Sequence, residues 1–152
     1  MPETRTAPTL THFALHVVDI AATEGFYQSY CGLKVVHRRS AGDDSVIWMA
    51  EPGRENRFVF VFIGGGPEKT QKKEDFSHLG IALASRAEVD AIADRARAEG
   101  ILAWEPVDEP FPVGHYCGVY DPDGIVVEFS YGQPLGPGSE EAMEELMAET
   151  GD

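Results

Sequence analysis

The chain has 152 residues, 43% hydrophobic and 25% charged, enough for one well-buried globular domain and too few for two ordinary ones. Twelve basic against twenty-six acidic side chains give a formal charge of −14, which argues against nucleic acid and anionic membrane surfaces as partners, since both need clustered Lys and Arg. Residues 1–8 contain no apolar signal core, and no run approaches transmembrane length, so a cytoplasmic protein is expected. The two cysteines, Cys31 and Cys117, lie far apart in sequence and read as reduced thiols, Cys31 within an apolar stretch.

Residues 10–18 read as a strand with Phe13, Leu15 and Val17 on one face and His12, Ala14 and His16 on the other. Asp19 is an N-cap candidate for a helix running to about residue 30, closed by Gly32. Strands are expected at 33–39, 45–50 and 58–63, separated by turn signals at 41–44 and at Glu51-Pro52-Gly53. A polar connection with Gly and Lys spans 64–75. The pattern then repeats. A strand at 76–84 leads into Ser85-Arg-Ala-Glu88, a capping box. The helix after it carries Val89, Ile92, Ala93 and Ala96 on one stripe and ends at Gly100. Strands follow at 102–107, 116–120 and 125–131, the last two joined by the turn Asp121-Pro-Asp-Gly124. After an irregular stretch at 132–138, residues 139–149 form an acidic helix with Met143, Leu146 and Met147 on one side, a packing or dimer contact.

Both halves therefore share the order β-α-β-β-β, and His12-Phe-Ala-Leu15 aligns with His78-Leu-Gly-Ile81. Neither half is large enough to fold alone. The expected fold is α+β: two paired βαβββ modules, about 10–63 and 76–131, making a curved mixed sheet around a cup with the helices outside. The whole of 1–152 would be a single domain, with 64–75 as linker and 132–152 as an acidic tail. Three side chains invite a metal. His12 and His78 occupy equivalent points of the repeat, and Glu128 is a carboxylate among apolar residues of the last strand, a place where an unpartnered acid is costly. Two imidazoles and one carboxylate suit a first-row divalent ion and leave about three coordination positions for substrate, water or dioxygen.

Residues 10–20, with Phe26-Tyr27 and Cys31-Gly32-Leu33, resemble the opening module of the vicinal-oxygen-chelate superfamily. Phe76-Ser-His78-Leu-Gly-Ile-Ala82 with Asp121-Pro-Asp-Gly124 and Val127-Glu128 resembles its second module. That superfamily includes glyoxalase I, extradiol dioxygenases, fosfomycin-resistance enzymes, methylmalonyl-CoA epimerase and bleomycin-resistance proteins. The resemblance covers about residues 10–131 and implies metal ligands at His12, His78 and Glu128. Departures are equally specific. The further ligand that glyoxalase I and the epimerase carry on the last strand of the first module falls at about Phe60, and His16 stands where glyoxalase I has an arginine. No arginine follows Glu128 in Phe129-Ser-Tyr-Gly-Gln133, unlike the fosfomycin-resistance enzymes. The extradiol dioxygenase tyrosine, ten residues before the glutamate, falls at Gly118.

By strand alternation Tyr116 shares the face of Gly118 and His16 that of His12, which makes Tyr116 and His16 the candidates for substrate hydrogen bonding or proton transfer. Trp48, Phe60, Phe62, His115 and Ser130 are candidate pocket residues, Phe111 a further aromatic within reach, and His37 a surface residue. The expected cofactor is one divalent ion per site: Fe(II), Mn, Ni, Co or Zn. The expected partners are a small-molecule substrate and a second copy of the chain in a homodimer. Dioxygenase-like chemistry heads the list. A glyoxalase-like lyase or isomerase and a non-catalytic binding or resistance protein stand as alternatives.

Overall fold

The computed structural model describes residues 7–40 and 45–150, so the turn expected at 41–44 and most of the amino-terminal stretch lie outside the described residues. The chain divides into two compact units, residues 1–69 and 70–152, and the division falls inside the predicted 64–75 connection.

In the first unit β1 (His12–His16) leads into α1 (Ile20–Cys31), then β2 (Lys34–Arg39), β3 (Val46–Ala50) and β4 (Val59–Ile63). Asp19 caps α1, its carboxylate accepting from the amides of Ala21 and Ala22, as expected of an N-cap. Gly32 closes the helix at φ 68°, with its own amide reaching Gln28 and that of Leu33 reaching Tyr27. The sheet order is β1-β4-β3-β2, with β1 parallel to β4 and the other pairs antiparallel. One face packs on α1: Tyr27 lies with its ring 4.9 Å from that of Phe62, over buried Ile47 and Met49. Each such fully buried side chain contributes about 1.5–3 kcal/mol.

The second unit repeats the plan with β5 (His78–Ala82), α2 (Arg86–Glu99), β6 (Leu102–Glu109), β7 (Gly114–Tyr120) and β8 (Val126–Tyr131), in the order β5-β8-β7-β6. The predicted capping box forms in a shifted version. Ser85 accepts from the amide of Glu88, while the Glu88 carboxylate accepts from Ala84, one residue before the cap. Val89, Ala93 and Ala96 of α2 are fully buried, as are Cys117, Val119, Val127 and Phe129 of the sheet. Asp121 organises the turn into β8, its carboxylate accepting from Asp123 and Ile125. The last helix, α3 (Glu140–Thr150), has no fully buried residue.

The architecture is α+β, as the sequence indicates: eight strands and three helices among the described residues. Each module forms its own open ladder, so the strands make two four-stranded mixed sheets. No described helix is long and apolar enough to cross a membrane.

Candidate functional site

The second unit gathers most of the predicted chemistry. In the parallel pair β5 and β8, His78 stands opposite Val126 and Gly80 opposite Glu128, which puts His78 and Glu128 on the same face, away from α2. Their side chains converge, Nε2 of His78 lying 3.6 Å from Oε2 of Glu128. The other ring nitrogen, Nδ1, lies 2.6 Å from the carbonyl of Phe76. A carbonyl can only accept, so Nδ1 carries a proton, and the metal-binding form of the ring would present its lone pair on Nε2, toward the carboxylate. Two ligands about 2.1 Å from one ion at a near-tetrahedral angle stand about 3.4 Å apart, so this pair has the spacing and the tautomer that a shared cation requires.

A cavity of about 450 Å³ opens on the pair, walled by Phe76, Trp104, Val107, Val113 and Tyr116. Burial pushes the Tyr116 phenol above its usual range, helped by the negative charges of Glu109 and Glu128. The hydroxyl is protonated at neutral pH and can donate a hydrogen bond or act as an acid. Trp104 is the residue that sequence reasoning missed. Its ring stands edge-on to His78 at 5.2 Å and to Tyr116 at 6.3 Å, with Phe76 at 6.2 Å.

In the first unit His12 lines a second cavity of about 410 Å³ with Trp48, Val59, Val61 and Arg57. The Thr11 hydroxyl lies 3.0 Å from its Nδ1. The register of β1 on β4 repeats that of the second unit: His12 faces Val59 and Ala14 faces Val61, as His78 faces Val126 and Gly80 faces Glu128. The residue equivalent to Glu128 is thus Val61, which corrects the expected position of Phe60 by one residue and supplies no fourth ligand. Among the described residues no group of three His, Cys, Asp or Glu side chains is gathered together. The convergent pair lies in the second unit and His12 in the first.

Several predicted pocket residues lie elsewhere. Phe60 and Phe62 pair with Phe13 and Leu15, on the α1 side of the sheet, and Phe62 is fully buried there. An error of one residue in register moves a side chain to the opposite face. His115 likewise points toward α2, its Nε2 2.8 Å from Asp90 and Nδ1 3.5 Å from Asp108, because β7 begins at Gly114 and alternation sets His115 opposite to Tyr116. Ser130 shares the Glu128 face but lines a different depression, beside Ala82 and the 132–139 segment. Trp48 does line the His12 cavity, 41% exposed. His37, exposed, rests edge-on to it at 5.1 Å. His16 shares the His12 face but stands about 13 Å farther along β1, against Gly66, and does not line that cavity. Phe111 is exposed in the β6–β7 turn.

A family model for the Glyoxalase/Bleomycin resistance protein/Dioxygenase superfamily matches residues 9–129. Over 134 residues the chain is 58% identical to the uncharacterized protein PA2024 of Pseudomonas aeruginosa, spanning 88% of this chain and 96% of that one. Among solved structures, the trypanothione-dependent glyoxalase I of Leishmania major is 20% identical, covers 95% of this chain and 99% of its own, and superposes with a TM-score of 0.65. A mutant of the fosfomycin resistance protein FosX of Listeria monocytogenes, complexed with Mn(II) and dihydroxypropylphosphonic acid, is 17% identical over 84% of this chain and 95% of its own, with a TM-score of 0.66. At these identities the two solved proteins share the fold with this chain.

Proposed function

Since the chain belongs to the Glyoxalase/Bleomycin resistance protein/Dioxygenase superfamily, we propose that it is a divalent-metal-dependent enzyme acting on a small substrate through two neighbouring oxygens. His12, His78 and Glu128 are its metal ligands. The observation that carries this reading is the convergence of Nε2 of His78 and Oε2 of Glu128 at 3.6 Å, with the histidine tautomer fixed from behind by Phe76, at the edge of an apolar cavity. When bound, the ion supplies Lewis-acid stabilisation of negative charge developing on substrate oxygen.

The chain's own residues set the rest. Tyr116, held protonated by its surroundings, donates a hydrogen bond or a proton to a substrate oxygen in the same cavity. Phe76, Trp104 and Val113 exclude water from the reacting end of the substrate. His16 lies outside the His12 cavity and is assigned no step.

Dioxygenase-like chemistry is the preferred form, because Val61 stands at the fourth ligand position and a three-ligand set leaves room for two substrate oxygens and dioxygen. A redox-free lyase or isomerase is the second form, favoured by Gly118 at the place of the dioxygenase tyrosine and by the likeness of fold to glyoxalase I and FosX. Oxygen uptake separates the two. Protein loaded anaerobically with Fe(II) and given a catechol should consume oxygen in step with ring cleavage. Turnover of a hydroxy-ketone without oxygen uptake, and equally well with Ni(II) or Mn(II), would establish the second form instead.

A further inference from the structure

Four observations meet at Trp104. It sits on β6 between two register shifts, one from Leu102 to Trp104 and one from Trp104 to Val107, and such irregularities re-aim a side chain. It pairs with Gly118, where a Cβ would come within 2.7 Å of two indole atoms, so the ring lies directly on that glycine. Its ring is flanked by three others around the cavity, edge-on to Tyr116 and to the predicted ligand His78 and tilted against Phe76. The cavity they line is walled mainly by aromatic and aliphatic side chains and includes no Lys or Arg; the Glu105 carboxylate is paired with Arg97, and Glu128 is the proposed metal ligand.

We infer that Trp104 is the specificity-determining residue of this cavity, and that it selects substrates whose non-chelating part is a flat, uncharged, apolar ring. An indole laid on a glycine is a broad wall, and ring-on-ring contact adds to simple area burial. An anionic tail would lose water against apolar walls with no lining Lys or Arg to receive it. Such a preference separates this site from one that takes a phosphonate or a peptide thiol. The inference rests on the metal reading above for the chelating end of the substrate only.

The test uses three 2-hydroxy acids with one shared chelating head: lactate, mandelate and 4-carboxymandelate. Each is titrated calorimetrically into the full chain with Mn(II). Mandelate should bind at least about tenfold more tightly than lactate, from the burial of one phenyl group. The para-carboxylate should cancel that gain. In Trp104→Ala the mandelate advantage should vanish while lactate affinity stays within about twofold. Trp104→Phe keeps a smaller ring on Gly118 and should retain part of the advantage, which guards against a variant that merely folds poorly. Trp48→Phe leaves Trp104 as the only indole, since the chain has two. Its emission should then respond to mandelate and not to lactate.

If Trp104→Ala keeps the full preference, or wild type has none, the inference falls. Mn(II) uptake, followed separately by electron paramagnetic resonance, tells failure of the metal reading apart. If no Mn(II) binds, the acids are titrated alone. Mandelate binding that Trp104→Ala abolishes still upholds the wall, and no mandelate binding overturns it.

Discussion

Replacing Phe62 by alanine tests which face of the first sheet is core. Phe62 is fully buried, its ring 4.9 Å from Tyr27 and 6.1 Å from Phe60, and the register with β1 turns it toward α1. Truncation removes the transfer free energy of a phenyl group and leaves a cavity that Tyr27 and Met49 cannot fill, so Phe62→Ala should cost about 3–5 kcal/mol. That is a large share of the roughly 5–15 kcal/mol available to a domain, and should lower the melting temperature by about 10 °C or more. Trp48, 41% exposed on the open face, should cost about 1 kcal/mol or less when truncated. Urea denaturation followed by far-ultraviolet circular dichroism gives both values on the same day. Equal midpoints for wild type and Phe62→Ala, or a larger loss in Trp48→Ala, would refute the facing derived from the register.

Other outcomes follow from single residues. Val61→Glu, at the position equivalent to Glu128, should tighten Mn(II) binding by at least the about tenfold that a ligand's hydrogen-bond partner already controls; calorimetry with unchanged affinity would contradict the equivalence. Burial pushes the Cys117 thiol up to about 12 from 9.0, so the folded state holds that proton more tightly than the unfolded chain does. Its effect on stability is nil below pH 9.0 and unfavourable as pH rises toward about 12, so Cys117→Val should flatten the alkaline loss of stability. In the native protein iodoacetamide should label Cys31 and spare Cys117, as peptide mass mapping would read. Gly114→Ala should destabilise by more than 1 kcal/mol, because φ is 78° and a Cβ would lie 2.3 Å from the carbonyl of Tyr131.

The elements were legible because their signals are local. Asp19, Gly32, Ser85 and Gly100 each cap the helix their position implies, and the repeated strand-helix order carries the architecture. The facing of β4 was not legible. Phe58-Val-Phe-Val-Phe-Ile63 is apolar throughout, so it has no alternation to read, and only its parallel pairing with β1 decides that Val61 and not Phe60 shares the His12 face. His115 was misplaced because β7 starts two residues earlier than the apolar run suggests. Trp104 was missed for a third reason. The register shifts around it break the period of two, so its facing cannot be counted from either end of β6; the one available signal was Gly118, a glycine inside a strand, which marks a close approach. His78 and Glu128, by contrast, stood out in sequence and come within 3.6 Å in the structure.

The most direct measurement is metal content by elemental analysis of wild type and Glu128→Ala, both purified without an affinity tag and incubated with iron, manganese, nickel or zinc. Wild type should retain about one ion per chain and the variant essentially none, since removing one of three ligands abolishes tight binding. Wild type that retains no metal after all four incubations, or a variant that retains as much as wild type, would contradict the assignment of this site as a metal centre.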